Sequence, residues 1–209
     1  MNRRLAAMQH LLDRPVSLMG RLFVLAAVVI LLVGATLPLW RISLVAPQYA
    51  EGLTLEMYAY QIVAGNDGQD LAEINTLNHY IGMKSIEQAD FLEMRVLPFA
   101  IGVFALLALR AVVVGNVMSL VDLSVLFMYF GVFSLGSFVY RLYSYGHHLD
   151  PAAPMTIEPF MPVVIGSQQI ANFVQTSMPL AGTLCMGVFF LLLLAAIWSS
   201  VRESRREAA

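Results

Sequence analysis

The chain has 209 residues, 59% of them hydrophobic and only 12% charged, with a net charge of −2 and a mean hydropathy of +0.73. Soluble domains are about half apolar and about a quarter charged, so a disordered chain and an ordinary soluble enzyme are both excluded. The slightly acidic balance leaves no basic footprint for nucleic acid. A single cysteine, Cys185, excludes an intrachain disulfide framework and any multi-cysteine zinc or iron–sulfur site.

Residues 1–21 form a leader carrying Arg3, Arg4, Arg14 and Arg21. Residues 22–40 follow, 19 positions without a charge. At about 1.5 Å per residue this stretch crosses a bilayer core. The basic leader and Val33-Gly34-Ala35 also suit a signal peptide; a retained span is the expectation. Residues 41–95 are polar by comparison. Ile42–Ala46 reads as a strand, Pro47–Gly52 turns the chain, and Leu53–Val63 alternates apolar with polar side chains. That period of two predicts a half-buried strand, and the pair predicts a small antiparallel ribbon. An isolated hairpin is marginal, so the ribbon must pack on something else. Gly65–Gly68 reads as a loop and Asp70–Tyr80 as a short helix. Ser85 and Gln88 have the spacing of a capping box that starts a helix leading into the next span. Eight acidic residues face Lys84 alone between residues 42 and 94, and they read as a solvated face.

Residues 96–114 and 118–140 are the second and third spans, joined by a tight turn at 115–117 around Gly115-Asn116. Arg110 and Asp122 flank that turn and read as an interfacial couple rather than an ion path. Residues 141–177 contain Pro151, Pro154, Pro159 and Pro162 and predict an ordered loop, with little helix or strand before Gln168. Residues 178–201 are the fourth span and 202–209 the tail. The expected class is an all-α membrane protein. It is a four-transmembrane-helix bundle capped by a small extracytoplasmic β-ribbon and a proline-rich loop. Arg3, Arg4, Arg14, Arg21, Arg110, Arg202, Arg205 and Arg206 fall on one side, against Arg41, Lys84, Arg95 and Arg141 on the other. By the positive-inside rule both termini and the 115–117 turn are cytoplasmic, and the two long segments are outside.

Candidate ligands for a metal lie in those two segments. His79 precedes Met83 by four residues, so a continued helix would set both on one face. His147 and His148 are followed by Asp150 and Met155. Imidazole with thioether suits copper, and thioether favours Cu(I). The competing reading makes these histidines hydrogen-bonded loop residues and most of the 12 methionines packing groups. His10, in the leader, reads as solvated. No predicted span holds a histidine for haem, and no CxxCH, phosphate loop or GxSxG elbow is present. Catalysis is therefore not expected.

Four stretches carry a resemblance. They are Pro38-Leu-Trp-Arg-Ile-Ser-Leu-Val-Ala-Pro-Gln-Tyr49 with Glu51-Gly52-Leu53, Ile74-Asn-Thr-Leu-Asn-His-Tyr-Ile-Gly-Met-Lys84, Tyr145-Gly-His-His-Leu-Asp-Pro-Ala-Ala-Pro154 and Gly166-Ser-Gln-Gln-Ile-Ala-Asn-Phe173. Together they resemble a family of small polytopic bacterial membrane proteins associated with gene neighbourhoods for nitrous oxide reductase maturation and periplasmic copper delivery. The resemblance implies a copper-related context, and with the outer histidine and methionine set the expectation is an accessory protein of the cytoplasmic (inner) membrane that handles copper at its outer face for cuproenzyme maturation. Its partners would be the lipid bilayer and a periplasmic copper protein or membrane oxidoreductase subunits. The family pattern has Asn where this chain has His148, which leaves His79, Met83 and His147 as the stronger ligands. The alternative is a structural or assembly subunit of a membrane oxidoreductase with no metal of its own.

Overall fold

Long uninterrupted apolar runs fold as helices because no other structure satisfies their backbone groups without water. In the computed structural model, which describes residues 9, 12–170 and 172–207, four helices are long and apolar enough to cross a membrane. They are α1 (Leu18–Thr36), α3 (Glu93–Val114), α4 (Val117–His147) and α5 (Ala181–Glu207). A shorter helix, α2, spans Gln69–Tyr80. The remaining regular structure is a sheet of β1 (Trp40–Ala46), β2 (Tyr49–Met57), β3 (Ile62–Ala64), β4 (Gly166–Ile170) and β5 (Phe173–Pro179). His10, expected in a solvated leader, lies outside the described residues.

The chain divides into two compact units. The first comprises Met1–Ala35, Phe99–Val132 and Leu184–Ala209. Its interior is aromatic. Phe127 packs edge-on to Phe104 at 5.1 Å and to Phe189 at 4.7 Å between ring centres, a geometry the ring quadrupoles favour. Close approach of α1 and α5 depends on Gly20, where an added Cβ would lie 2.6 Å from Ser200 Oγ. Asn116 caps α4 by accepting from Ser119 N and Oγ. Residues 14–16 pair with the 115–117 turn through Val117 N to Arg14 O at 3.0 Å.

The second unit comprises Thr36–Pro98 and Phe133–Thr183 and holds the sheet. All neighbouring strands are antiparallel, in the order β3-β2-β1-β5-β4. β1 alternates cleanly, with Trp40, Ile42, Leu44 and Ala46 buried. Its pairing with β5 runs on past both strands through Leu180 N to Leu39 O and Gly182 N to Pro38 O, each 2.9 Å. One core cluster joins Leu44, Leu53, Leu55, Ile74, Ile81, Ile170 and Phe173, so α2 lies on the same sheet face as the loop residues Ile157 and Phe160. A second joins Trp40, Ile42 and Leu142. There Trp40 Nε1 donates to Ser177 Oγ at 2.7 Å, and Ser177 Oγ donates to Val164 O at 2.8 Å.

The all-α expectation is overturned. The chain is an α+β protein, with a five-stranded antiparallel sheet in addition to its four apolar helices. The predicted ribbon is only its β1–β2 part. The predicted strand Leu53–Val63 is interrupted by a turn, closed by Tyr58 N to Gln61 O at 2.8 Å, that puts Ala59 inside. Strands β4 and β5 lie where a loop and the start of the fourth span were expected. The first apolar helix ends at Thr36, and Trp40 belongs to β1. The capping-box segment forms only a 3₁₀ turn at Gln88–Asp90 before α3 begins at Glu93.

Candidate functional site

The face of α2 against the sheet is set by residues four and seven apart. Ile74, Asn78 and Ile81 are all buried there. At the start of α2, Asp70 is 3% exposed. Its carboxylate accepts from Thr54 N at 2.7 Å and from Asn66 Nδ2 at 3.1 Å. Tyr49 of β2 donates to Glu73 on the same helix, and this bond holds the tyrosine hydroxyl above its ordinary pKa. A reading of the acidic residues as a solvated face misses Asp70, which fastens helix to sheet.

At the other end of α2, Met83 N turns back to Asn78 O at 2.8 Å. Gly82 sits at φ +78°, and an added Cβ would lie 2.8 Å from Asp150 O. Glycine is required there by both the backbone and the contact. Across this close approach Asp150 N donates to Gly82 O at 2.8 Å, and Met155 N donates to Tyr80 O at 3.0 Å. Farther along the loop, Phe160 N donates to Gly146 O at 3.0 Å. The proline-rich stretch is thus tied down at several points.

The residues read as metal ligands are placed as follows. His79 is exposed on the last turn of α2, and Met83 is half-buried. The His147 ring stacks on Tyr143, 3.8 Å between centres, with Nδ1 donating to Tyr143 O at 3.0 Å. His148 Nδ1 lies 3.1 Å from Ser144 O. Asp150 accepts from Ala152 N at 2.9 Å, closing a turn, and Met155 is exposed. The backbone bonds bring the segment of His79 and Met83 against the segment of Asp150 and Met155. Among the described residues, no group of three or more His, Cys, Asp or Glu is arranged to hold a metal ion. Arg110 and Asp122 line one notch of about 170 Å³ at the 115–117 turn, and among the described residues no ion pair joins them.

A different set of residues does converge. Inside the sheet unit lies a cavity of about 70 Å³, open to the surface. Its walls are apolar, with Leu44, Leu55, Phe91, Phe160 and Phe173 among them, and Met83 reaches it. None of the described histidines does. Two of its lining residues each bury one side-chain polar atom that has no partner among the described residues. Asn78 Nδ2, on α2, is a donor with nothing to donate to, and Gln175 Oε1, on β5, is an acceptor with nothing to accept from. The residues are 6% and 7% exposed. A buried amide group left unpaired costs about 1–3 kcal/mol, and such orphans are rare in folded proteins.

One cation also lines the cavity. Arg141 is spent on Glu93, with Nη2 2.8 and 2.7 Å from the two carboxylate oxygens. Its Nη1 donates to Asp90 O at 2.9 Å, and its guanidinium lies 4.6 Å from the centre of the Phe91 ring. Nearby, Lys84 donates to the Asp90 carboxylate at 2.5 Å, which holds its ammonium above the ordinary lysine pKa.

Sequence reasoning missed Asn78 and Gln175. Asn78 follows Ile74 by four residues, a spacing that puts it on the core face. Gln175 alternates with Phe173 and Ser177. Both signals become readable only once the buried face of each element is known.

No family model and no curated protein matches the chain. Its own residues define an α+β protein with four helices able to cross a membrane and a sheet unit enclosing an apolar cavity.

Proposed function

We propose that this is a non-catalytic membrane accessory protein whose sheet unit binds a small, largely apolar ligand. The carrying observation is the apolar cavity, whose lining residues include Asn78 and Gln175, each with one buried polar atom that lacks a partner among the described residues. Ligand sites are concave, mostly apolar and furnished with a few placed polar groups. The distribution of Lys and Arg supports a setting in the bacterial cytoplasmic membrane with both termini inside and the sheet unit outside. The test is binding of xenon, a probe of a few-atom size, to the protein in lipid nanodiscs, followed by xenon-129 NMR against empty nanodiscs. Wild type is expected to bind, and Ile170→Phe, which fills the cavity, is expected to bind at least tenfold more weakly. Equal signals from protein-loaded and empty discs would remove this reading.

Copper handling, which the family resemblance implies, is the second reading. It is favoured by the backbone bonds from Asp150 and Met155 to the α2 turn, which bring two donor-bearing segments together. It is favoured also by His147, whose Nδ1 proton is held by the Tyr143 carbonyl, a usual arrangement of imidazoles that ligate metal through Nε2. Its partner would be a periplasmic copper protein or a membrane oxidoreductase subunit. Under this reading His79→Ala with His147→Ala abolishes Cu(I) retention against a competing chelator. Unchanged retention in the double variant, or none in wild type, would count against it.

A further inference from the structure

Two charges interrupt the apolar surface of α3 and α4 near the turn that joins them. Arg110 sits four residues before the end of α3 at Val114, and Asp122 five residues after the start of α4 at Val117. At about 1.5 Å per residue each lies roughly 6–8 Å from the turn, so the two share one depth. Both are exposed, and both line the notch of about 170 Å³ formed by residues of α3, the turn and α4. From this placement we infer that the notch is a headgroup site for an ethanolamine phospholipid, whose phosphate meets Arg110 and whose ammonium meets Asp122. The site is separate from the cavity of the sheet unit and stands or falls independently of ligand binding there.

The surroundings of the two charges suit contact with lipid. Toward the turn the exposed neighbours are Val113, Val114 and Met118, and away from it they are Leu106 and Val125. Hydrocarbon thus flanks both charges on the helix surface. A charge at such a depth in a bilayer is costly unless it is paired. Arginine has a long stem that carries its guanidinium toward the headgroup region. Aspartate has a single methylene and stays close to where the backbone puts it. The ion pairs among the described residues are Arg41–Glu56, Lys84–Asp90 and Arg141–Glu93, and neither Arg110 nor Asp122 takes part in one. Each therefore calls for a counter-charge from outside the chain.

Two opposite charges on one notch select among headgroups. The free oxygens of a phosphodiester match the fork of a guanidinium. In an ethanolamine headgroup a two-carbon link joins that phosphate to an ammonium with donor hydrogens, so one molecule supplies both counter-charges. A glycerol headgroup offers no cation to Asp122. A choline headgroup offers a cation with no hydrogen to donate. A serine headgroup sets a second carboxylate beside Asp122 and is repelled. The acyl chains then lie on the exposed apolar side chains away from the turn, Leu106 and Val125 among them. Direct pairing of Arg110 with Asp122 is the competing arrangement and is an outcome of the test.

The experiment adds dioleoyl phospholipids with ethanolamine, choline or glycerol headgroups to the delipidated full chain in detergent and reads bound lipid by native mass spectrometry. The ethanolamine lipid is expected to bind at least about tenfold more tightly than the choline lipid, the effect of roughly one hydrogen bond to a charged group. In Asp122→Asn, which keeps the shape and removes the charge, that preference falls to within about twofold, while the glycerol lipid binds no more weakly than to wild type. In Arg110→Gln all three lipids bind at least about fivefold more weakly, because the shared phosphate loses its partner. This second variant tests the site from the other helix should the first fold poorly. Equal affinity of wild type for the ethanolamine and choline lipids would overturn the inference, as would tightest binding of the glycerol lipid. An ethanolamine preference retained in Asp122→Asn would place the lipid elsewhere and overturn it too. Wild type that retains none of the three would mean that Arg110 and Asp122 answer each other, and the site would not exist.

Discussion

The two hairpins of the sheet, β1–β2 and β4–β5, are built on opposite plans. In β1 the buried face is Trp40, Ile42, Leu44 and Ala46, apolar throughout. In β5 the buried face is Phe173, Gln175 and Ser177, while the exposed positions include Val174 and Met178. The first strand puts hydrocarbon inside, as the hydrophobic effect alone would direct. The second puts amide and hydroxyl inside and leaves apolar side chains outside. Its orientation is therefore imposed by pairing with β1, from Trp40 opposite Pro179 to Val45 opposite Val174, and by what the inward polar groups do. Ser177 joins Trp40 to the loop at Val164. Gln175 reaches the cavity. The lesson is that inward polarity in β5 carries two roles, one structural and one for a ligand, and substitution separates them.

The largest expected effect is on the hairpin with the ordinary plan. Asp70→Ala removes the buried acceptor of Thr54 N and Asn66 Nδ2, which fixes β2 to α2. Hydrogen bonds to a charged group are worth about 1.5–3 kcal/mol each; a loss of about 3 kcal/mol is expected. Chemical unfolding would read the loss, and amide exchange would show reduced protection at Thr54. Unchanged protection would mean that α2 is not what holds this hairpin in place.

Gly82→Ala is next. It places a Cβ at φ +78° against Asp150 backbone atoms 2.8 and 2.9 Å away. Strain at a left-handed position together with overpacking costs about 2 kcal/mol. Protease sensitivity of the 148–155 loop is expected to rise, because the bonds from Asp150 and Met155 to this turn lengthen. A variant as resistant as wild type would show that the loop is held elsewhere, for instance by Phe160 on Gly146.

The same contrast explains which elements are legible in the amino-acid sequence. Period-two alternation exposes β1 and the first part of β2, because their buried positions are apolar. Four apolar runs expose the long helices. β5 gives no such signal: in Phe-Val-Gln-Thr-Ser-Met-Pro the apolar positions do not keep to one face. Its partner β4, Gly-Ser-Gln-Gln-Ile, is a polar edge strand. β5 also pairs with β1 across more than a hundred residues, and pairing at that distance leaves no local trace. The histidine and methionine candidates read plainly in the sequence because the copper expectation is argued from residue types. The cavity does not, because its character comes from two amides whose partners are missing. Sites where local patterning fails are often those under functional demand.

A smaller loss is expected from Ser177→Ala. The hydroxyl is fully buried, accepts from Trp40 Nε1 at 2.7 Å and donates to Val164 O at 2.8 Å. Its removal strands a buried indole N–H, a cost of about 1–2 kcal/mol. The change would be seen as a fall in unfolding midpoint and a shift of Trp40 fluorescence. No shift would mean that water replaces the serine oxygen at no cost.

The smallest effect has the opposite sign and separates the two roles most directly. Gln175 lies two residues before Ser177 on the same face of the same strand, so burial and strand environment are closely matched. The difference is that Ser177 Oγ is bonded on both sides, whereas Gln175 Oε1 has no partner among the described residues. Gln175→Leu removes an acceptor whose desolvation nothing offsets and adds apolar surface to an apolar wall. In ligand-free protein the substitution is expected to stabilise by about 1 kcal/mol. Unfolding in nanodiscs, measured beside Ser177→Ala, checks the sign. Destabilisation by Gln175→Leu similar to that of Ser177→Ala would show that its oxygen is already satisfied, by water or by a shift of its neighbours, and the polar face of β5 would then be structural throughout. Stabilisation would show that the wild-type protein retains an unpaired buried amide at the expense of its own stability, as expected of a group kept to meet a ligand.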